Sequence, residues 1–527
     1  MNCMKKMLLS AALGVAMSAA ALAPASADDG GQLNITLTAD IRSLDASHTD
    51  NNTDSVLYHI YDPLVAFKDD MTVGPALAES WDVSEDGLTY TFKLKDGATY
   101  HNGDKVLAAD FKWLWDRRMA SEDTENGAYL CVPTFNGSRS VNVTSVEAPA
   151  EDTIVMTLDA PNPLFLVYLA DPVCTVWVAS PKNVGDDGKW IEGSAIGSGP
   201  FKLKEWKKEQ YIALERFDDY VPAPGERSGQ AGDRTAYVDE ARFMIIPDKT
   251  AAETALFAGE VDVVSTIQPT KMEDLKSNGA LISTAPGLSM TAILLNTEDP
   301  LLSDPKMRAA IAHAIDYDQL VEAKTIGIAK FNPSGVPRSS AFFTEEFVDS
   351  WPKYDIAASK KLQEEAGYKG EPIKLQANKR YIGMYENAVI IQGMLAAAGI
   401  KVELDVLDWA AQLDNFFAGN FQMQSFGYSG RPDPLVIYGM FTGDKEKYAS
   451  YQWGDKAANE LYHKASTTAD FAERQKMLLQ LQDMMAEQIP IIGVYYFPVI
   501  EAVSDRIEGY KSWPLDRPRA WGVSVKK

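Results

Sequence analysis

The chain has 527 residues, a formal net charge of −24 at pH 7 and an apolar fraction of 46%. A chain of this length is expected to form two or three domains, and its composition is that of an ordinary globular protein. The acidic excess argues against nucleic acid and anionic membranes as partners, because both carry negative charge themselves.

The first 27 residues have the pattern of a cleaved secretory signal. Lys5 and Lys6 precede an uncharged apolar stretch, and residues 25–27 form an A-x-A cleavage site. A transmembrane anchor is disfavoured because the stretch is short and rich in alanine, and no later stretch resembles a spanning helix. Cys3 lies before the apolar stretch rather than at the cleavage site, so we expect no lipid anchor. The sequence therefore predicts a periplasmic protein.

After the signal, residues 33–38 alternate in polarity and predict the first strand. A helix is predicted next, because apolar residues recur at helical spacing. The apolar residues of this helix are Val56, Leu57, Ile60 and Tyr61.

Residues 74–119 form the most informative stretch. Tyr90, Phe92 and Leu94 alternate with polar residues, a period of two that predicts a half-buried strand. Asp-Gly pairs bracket this strand as turns. A helix is predicted after Asp110 from four side chains at helical spacing. They are Phe111, Leu114, Trp115 and Arg118.

Capping residues mark helix boundaries in the middle of the chain. Asp248 or Thr250 is suited to cap the start of one helix, and Gly259 stands where a glycine ends it. Asp304 and Pro305 open another helix.

The last third of the chain alternates helices with strands. Amphipathic helices are predicted over 355–368 and 385–399, next to strand-like runs at 373–376 and 402–407. A buried strand over 491–496 ends this pattern. Such alternation indicates the α/β class.

The sequence offers no catalytic or cofactor motif. Its five histidines include no H-E-x-x-H, and both G-x-S-x-G and the glycine-rich phosphate loops are absent. Residues 303–306 match S-x-x-K, but Pro305 interrupts the motif and no K-T-G follows. We expect no catalytic residues, no cofactor and no metal site, and we therefore do not expect an enzyme.

The stretch at 75–104 resembles the signature of the family 5 extracellular solute-binding proteins of bacterial ABC importers, the peptide, opine and nickel class. Further landmarks follow in the family's order, at 43–45, 196–203, 304–316 and 490–492. The signature residues that match are Pro75, Leu77, Ala78, Trp81, Asp86, Gly87, Tyr90, Phe92, Leu94, Lys95, Tyr100, His101, Gly103 and Asp104.

The resemblance implies an α/β fold of the two-lobed periplasmic-binding-protein type, in its large class with an additional domain. A hinge joins the lobes, and the ligand lies in the cleft between them. The expected division gives residues 28–64, 193–290 and 500–527 to lobe 1, residues 65–192 to the additional domain and residues 291–499 to lobe 2.

The function implied is that of the periplasmic component of an ABC transporter. It captures a peptide or peptide-like solute by lobe closure and delivers it to a permease in the inner membrane, and we expect it to be a monomer. The alternative is a non-peptide ligand, namely an opine, a sugar acid or an oligosaccharide. A nickel chelate and a secreted hydrolase are disfavoured, and a role beside a chemoreceptor or as a chaperone stays open.

Two arginines are candidate ligand contacts. In dipeptide-binding relatives an arginine near the position of Arg380, which Tyr381 follows here, grips the ligand's carboxylate. Peptide-binding relatives also carry an aspartate for the peptide ammonium where Ser429 or Gly430 stands, beside Arg431. An arginine there favours a carboxylate, a phosphate or sugar hydroxyls. Alternatively, Arg380 is a surface residue, and Arg431 pairs with the nearby aspartate at position 433 or caps a turn.

Aromatic side chains complete the predicted cleft. Trp409, Tyr428, Trp453 and Tyr129 are candidate walls, with simple core packing as the alternative, and Asn52 is a candidate polar contact. The two cysteines that remain after cleavage, Cys131 and Cys174, are able to form a disulfide in an oxidising compartment, although two buried free thiols fit the sequence as well.

Overall fold

The computed structural model of the chain describes residues 30–45, 50–120, 131–138, 140–381 and 383–526. The predicted signal at 1–27 and the candidate residue Tyr129 lie outside the described residues.

The strands of the described residues, in chain order, are β1 (Gln32–Leu37), β2 (Asp62–Pro63), β3 (Val65–Phe67), β4 (Val73–Pro75), β5 (Ala78–Val83), β6 (Thr89–Leu94), β7 (Val143–Ala150), β8 (Thr153–Leu158), β9 (Trp177–Val178), β10 (Phe201–Lys207), β11 (Tyr211–Arg216), β12 (Glu240–Ile245), β13 (Val263–Val264), β14 (Leu281–Ala285), β15 (Met290–Leu295), β16 (Ile373–Ala377), β17 (Val402–Val406), β18 (Met423–Tyr428), β19 (Ile491–Tyr496), β20 (Val499–Val503), β21 (Ile507–Glu508) and β22 (Ser524–Val525).

The α-helices in the same part of the chain are α1 (Asn51–Ile60), α2 (Ala108–Met119), α3 (Val132–Phe135), α4 (Phe165–Ala170), α5 (Lys249–Phe257), α6 (Met272–Ser277), α7 (Pro305–His313), α8 (Tyr317–Thr325), α9 (Glu346–Asp349), α10 (Ile356–Glu365), α11 (Met384–Ala397), α12 (Trp409–Ala418), α13 (Pro434–Tyr438), α14 (Lys456–Ser466) and α15 (Phe471–Gln488). Every helix that the structure describes is too short or too polar to cross a membrane.

Lobe 1 is the body built on a seven-stranded sheet of order β10-β11-β12-β1-β13-β20-β14. Its strands come from the beginning, the middle and the end of the chain, so the sheet is assembled from segments far apart in sequence. The neighbouring strands β12, β1 and β13 are parallel, and their carboxyl ends therefore lie at one edge of the sheet.

Lobe 2 is the body built on a five-stranded sheet of order β17-β16-β18-β15-β19. Strand β15 is buried along its whole length, as expected for an apolar run in the middle of a sheet. Strands β17, β16 and β18 run parallel, so their carboxyl ends also share one edge.

The predicted signature stretch forms an additional domain around a four-stranded antiparallel sheet, β5-β6-β8-β7. The period-two prediction is confirmed, because Tyr90, Phe92 and Leu94 are buried along β6. The four predicted helix residues are confirmed too, since α2 buries all of them, including the charged Arg118. The guanidinium of Arg118 donates a hydrogen bond of 2.7 Å to the carbonyl oxygen of Thr175.

The additional domain and lobe 1 share one continuous core.

Two short segments connect the lobes. Residues 286–289 lead from β14 in lobe 1 to β15 in lobe 2, and residues 497–498 lead from β19 back to β20. These two crossings form a hinge of the kind on which two bodies close over a ligand.

The lobes also touch away from the hinge. Leu164, beside α4 of the additional domain, is buried within the core of lobe 2. The N–H of Ala341 in lobe 2 donates a hydrogen bond of 3.0 Å to the carbonyl oxygen of Asp70. Ile328 of lobe 2 packs against a small apolar cluster of lobe 1. The lobes are therefore in contact in the structure described.

Candidate ligand-binding site

The candidate residues of lobe 2 lie at one edge of its sheet. Residues 378–381 follow β16, residues 407–408 follow β17 and residues 429–433 follow β18. Because these three strands are parallel, their carboxyl ends bring the three loops together. Ligands of α/β proteins bind preferentially at this edge.

Arg380 lies on a rigid turn at this edge. The backbone N–H groups of Arg380 and Tyr381 both donate to the side-chain oxygen of Asn378, at 3.0 and 3.2 Å. Asn378 is fully buried and donates in turn to Gln412 at 2.7 Å. The exposed guanidinium of Arg380 stacks over the ring of Tyr381, with 5.7 Å to the ring centroid, and forms no ion pair with any described residue. It is therefore free to bind an anion.

An aromatic wall stands beside this arginine. The ring of Tyr381 meets Trp409 edge-on at a centroid distance of 4.8 Å, and Trp409 lies 5.7 Å from Phe426. Tyr381 is 43% exposed, whereas Trp409 is half-buried against the sheet. The carboxylate of Asp408 accepts from the N–H of Ala411 at 2.9 Å and so caps α12, which fixes Trp409 at the first position of that helix. The structure thus brings Arg380, Tyr381 and Trp409 together.

In the loop after β18, the hydrogen-bond partner of Arg431 is not the one that the sequence suggested as an alternative. The guanidinium of Arg431 donates to the carbonyl oxygen of Gly430 at 2.9 Å. Asp433 instead accepts from Arg474 at 2.8 Å, and both of these side chains are buried. The alternative in which Arg431 pairs with Asp433 is therefore wrong, because Arg474 of α15 is the partner of Asp433.

Gly430 is small for a steric reason. A Cβ on Gly430 would lie 2.7 Å from the Cβ of Leu288 in the hinge, a distance that requires a shift of the backbone. Ser429 is exposed and presents a neutral hydroxyl. This loop therefore offers a cation at Arg431 and no carboxylate at 429 or 430.

Two predicted aromatic walls are core residues and need correction. Trp453 is 2% exposed, and its indole N–H donates to Gln488 at 2.8 Å. Tyr428 is 3% exposed and packs against Phe426 and Phe441. Both side chains point into lobe 2, where the large apolar rings fill the core, rather than toward an accessible wall.

Lobe 1 also has an edge at which the carboxyl ends of parallel strands meet. The side-chain oxygen of Asn52 accepts a hydrogen bond of 3.3 Å from the hydroxyl of Thr38, the residue directly after β1. Asn52 therefore lies at the carboxyl ends of the parallel strands of lobe 1. A depression of about 450 Å³ continues along this edge, and Arg42, Trp206 and Lys208 are among the residues that line it.

An aspartate that the sequence did not single out, Asp171, directly follows α4. Burial raises its pKa, and a hydrogen bond of 2.9 Å from the N–H of Val173 opposes that shift, followed by the charges of Arg431 and Arg517. Arg517 is committed to Asp54, with which it forms an ion pair of 2.8 Å. The D-P-V-C segment gave no signal of this burial, because the charges that act on Asp171 belong to residues more than 250 positions away in sequence.

Cys131 and Cys174 are joined by a disulfide, with 5.3 Å between their Cα atoms. The bond holds the segment after Asp171 to α3 of the additional domain. It therefore constrains the position of the α4 region rather than contributing a reactive thiol.

Comparisons with known proteins identify one family of solute-binding proteins. A family model described as bacterial extracellular solute-binding proteins, family 5 middle, matches residues 72–449. The dipeptide-binding protein DppE of Bacillus subtilis is 26% identical over 480 residues, which cover 87% of this chain and 85% of that protein.

Solved structures agree over nearly the whole length. The ABC transporter substrate-binding protein CtaP of Listeria monocytogenes is 26% identical, with a TM-score of 0.79 over 95% of this chain and 100% of that chain. The periplasmic binding protein DppA of Helicobacter pylori, solved in complex with the peptide STSA, is 26% identical, with a TM-score of 0.70 over 95% of this chain and 99% of that chain.

Proposed function

The chain belongs to the bacterial extracellular solute-binding proteins of family 5, and from this membership we propose that it captures a peptide between its lobes for an ABC importer. Two of the relatives named above support a peptide ligand, since one is a dipeptide-binding protein and another was solved in complex with a peptide. The permease that receives the peptide lies in the inner membrane.

The observation that carries the proposal is the guanidinium of Arg380 at the carboxyl edge of lobe 2, which forms no ion pair within the described part of the chain. A guanidinium binds a carboxylate through two parallel hydrogen bonds, which fixes both the position and the orientation of the ligand. Tyr381 and Trp409 supply apolar area beside it. Every peptide with a free carboxyl end carries the matching group.

Capture follows from the two-lobed arrangement. A peptide that contacts the edge of lobe 2 at Arg380 and the edge of lobe 1 near Asn52 interacts with both bodies only when they are close together. Its binding therefore favours the closed state by the difference in affinity between the two states. Closure presents the loaded protein to the permease in one defined shape.

The compartment and the domain division belong to the same proposal. Residues 1–27 direct export and are removed, and the protein acts in the periplasm without a lipid anchor, as a monomer. Lobe 1 comprises 28–64, 193–290 and 500–527, the additional domain 65–192 and lobe 2 291–499. The sheets observed in these three segments support this division.

The experiment is isothermal titration with trialanine and with trialanine amide, which lacks the carboxylate. We expect binding of the acid and much weaker binding of the amide. In a thermal-shift assay, ligand at about 100 times its dissociation constant adds roughly 2.7 kcal/mol of stability. A failure of a panel of di- and tripeptides to bind would contradict peptide capture, and hydrolysis of any of them with turnover would contradict a binding function.

A further inference from the structure

A small pocket lies where lobe 1 meets the turn between β3 and β4 of the additional domain. Its volume is about 90 Å³, which is room for a small ion, and none of its lining residues belongs to the loops of the candidate peptide site. The polar side chains of its lining are those of Asp69, Arg227, Lys511, Arg519 and Trp521. Three segments that are far apart in sequence therefore meet around one cavity.

The pocket carries an excess of positive charge, although the chain as a whole has a net charge of −24. Three of its lining side chains are cations, whereas Asp69 is the single carboxylate. Arg227 and Lys511 are exposed, and neither the guanidinium nor the ammonium forms an ion pair with any described residue. Two of the three cations are therefore available to a ligand.

The third cation, Arg519, is buried with a weak counter-charge. Its side chain is 10% exposed, and its ion-pair partner Asp69 lies 3.3 Å away with a side chain that is 56% exposed. The guanidinium also donates to the carbonyl oxygens of Gly229 and Lys511, both at 2.9 Å. A buried charge is costly unless a counter-charge lies close to it, and water screens an exposed carboxylate. Arg519 would therefore gain from an anion inside the pocket.

The backbone at Gly522 makes room for the guanidinium of Arg227. Gly522 has a φ of +66°, and a Cβ on this residue would occupy the position of that guanidinium. The preceding residue, Trp521, is 2% exposed, and its indole N–H has no hydrogen-bond partner in the described part of the chain. The glycine therefore lets Arg227 lie against the backbone at the pocket, beside a donor that is not yet committed.

We propose that this pocket binds a small tetrahedral oxyanion, inorganic phosphate, through Arg227, Lys511 and Arg519. Guanidinium and ammonium groups both bind phosphate, and a guanidinium offers two parallel N–H donors to two oxygens. Three cations around a cavity of this size suit an anion with more than one charge, because the attraction grows with each charge. The bound ion stabilises the folded chain by mass action, and the site is separate from the proposed capture of a peptide.

The test is isothermal titration of the full mature chain with sodium phosphate at neutral pH, in a buffer whose ionic strength is held constant with sodium chloride. We expect saturable binding of a single phosphate. A thermal-shift assay at the same low concentrations should show a stabilisation that chloride does not give. Low concentrations are needed because concentrated phosphate stabilises proteins in general. The absence of saturable binding would overturn the inference and leave peptide capture intact.

Three variants assign the binding to this pocket. Arg227→Gln and Lys511→Gln each remove an exposed cation, so each should weaken phosphate binding by about tenfold, the effect of one charge-assisted hydrogen bond. Asp69→Asn removes the carboxylate that competes with phosphate for Arg519, so it should strengthen binding instead. Unchanged affinity in Arg227→Gln and Lys511→Gln would show that phosphate binds elsewhere and would overturn the inference, as would weaker binding in Asp69→Asn.

Lys361→Gln serves as the matched control. Lys361 is an exposed lysine on α10, 3.9 Å from Glu365 and outside both the pocket and the loops that form the cleft. The substitution removes one positive charge without touching the pocket, so phosphate affinity should stay unchanged, and the same is expected of Arg380→Gln. An equal loss of affinity in Lys361→Gln would show that net charge alone attracts phosphate. A loss in Arg380→Gln would place the ion in the peptide site, and either result would overturn the inference.

Discussion

The backbone N–H of Phe497 donates a hydrogen bond of 2.8 Å to the carbonyl oxygen of Ser289. The bond joins the two crossings between the lobes, at 286–289 and at 497–498, so that they act as one hinge. Hinge closure is absorbed by backbone rotations in a few residues. The separation of these two segments therefore limits how the lobes move.

Gly287 sets this separation. A Cβ at this position would collide with the carbonyl oxygen of Phe497, so Gly287→Ala must push the two crossings apart. We expect a loss of about 1–3 kcal/mol in the free energy of unfolding, as for overpacking in a core. Urea denaturation measures this loss, and small-angle scattering with and without peptide should show a smaller compaction on binding.

Gly393→Ala is the control for this prediction. Gly393 lies within α11, and a Cβ there has open space around it. Alanine in a helix interior should stabilise the protein by roughly 0.5–1 kcal/mol relative to glycine. Equal destabilisation by both substitutions would contradict the hinge argument.

Asp433 and Arg474 form a buried ion pair that is expected to stabilise lobe 2 rather than bind ligand. Asp433→Asn leaves the guanidinium of Arg474 buried without its counter-charge, and removing one partner of such a pair costs about 3–5 kcal/mol. Chemical denaturation measures the loss, and peptide affinity at low temperature should be unchanged. A fully stable variant with lost affinity would reassign Asp433 to the ligand site.

Glu501 makes stability depend on pH. This glutamate lies on β20, directly after the hinge, and burial raises its pKa from 4.5 to about 7 despite hydrogen bonds from Ser512 and Tyr510. The folded protein therefore holds a proton that the unfolded chain releases. This contribution to stability is fully present below pH 4.5 and is lost as the pH rises toward 7.

Glu501→Gln should remove this pH dependence. We expect the difference in unfolding free energy between pH 5 and pH 8 to change by on the order of 3 kcal/mol relative to the parent protein. Urea denaturation across this pH range measures it. A parent and a variant with parallel pH profiles would show that Glu501 does not titrate in the folded state.

Local elements were predictable because their causes are local. Asp248 caps α5 through a 2.7 Å bond from Ala251 N–H, and Gly259 adopts a φ of +72° just after that helix, as its position in the sequence indicates. The alternation in β6 has an equally local cause, since side chains of a strand point to opposite faces. The sequence also placed Arg380 and Trp409 after strands, which the parallel sheet then brings together.

Partners far apart in sequence were not predictable. The burial of Trp453 and the pairing of Asp433 with Arg474 both depend on how distant segments pack. The segment at 222–233 shows the same limit. Its three glycines and two prolines are typical of an exposed loop, whereas Gln230 within it is fully buried. The N–H of Gln230 donates to the carbonyl oxygen of Phe67 at 2.9 Å, a contact that no local pattern encodes.

Arg380→Gln tests the proposed carboxylate site directly. The substitution removes the guanidinium but keeps a polar side chain on the turn that Asn378 fixes. Loss of a charge-assisted hydrogen bond costs about 1.5–3 kcal/mol, so the dissociation constant for a peptide acid should rise roughly ten- to a hundredfold. Titration of the parent and the variant with the same peptide acid measures this change.

The peptide amide supplies the internal control, because it lacks the group that Arg380 is proposed to bind. Its weaker affinity should be the same for the parent protein and for Arg380→Gln, and the exposed Lys361→Gln should leave both affinities unchanged. The affinities for the acid and the amide should then differ in the parent protein and become similar in Arg380→Gln. If the variant instead weakened both ligands equally, Arg380 would act on the shape of the turn and the carboxylate would be held elsewhere in the cleft.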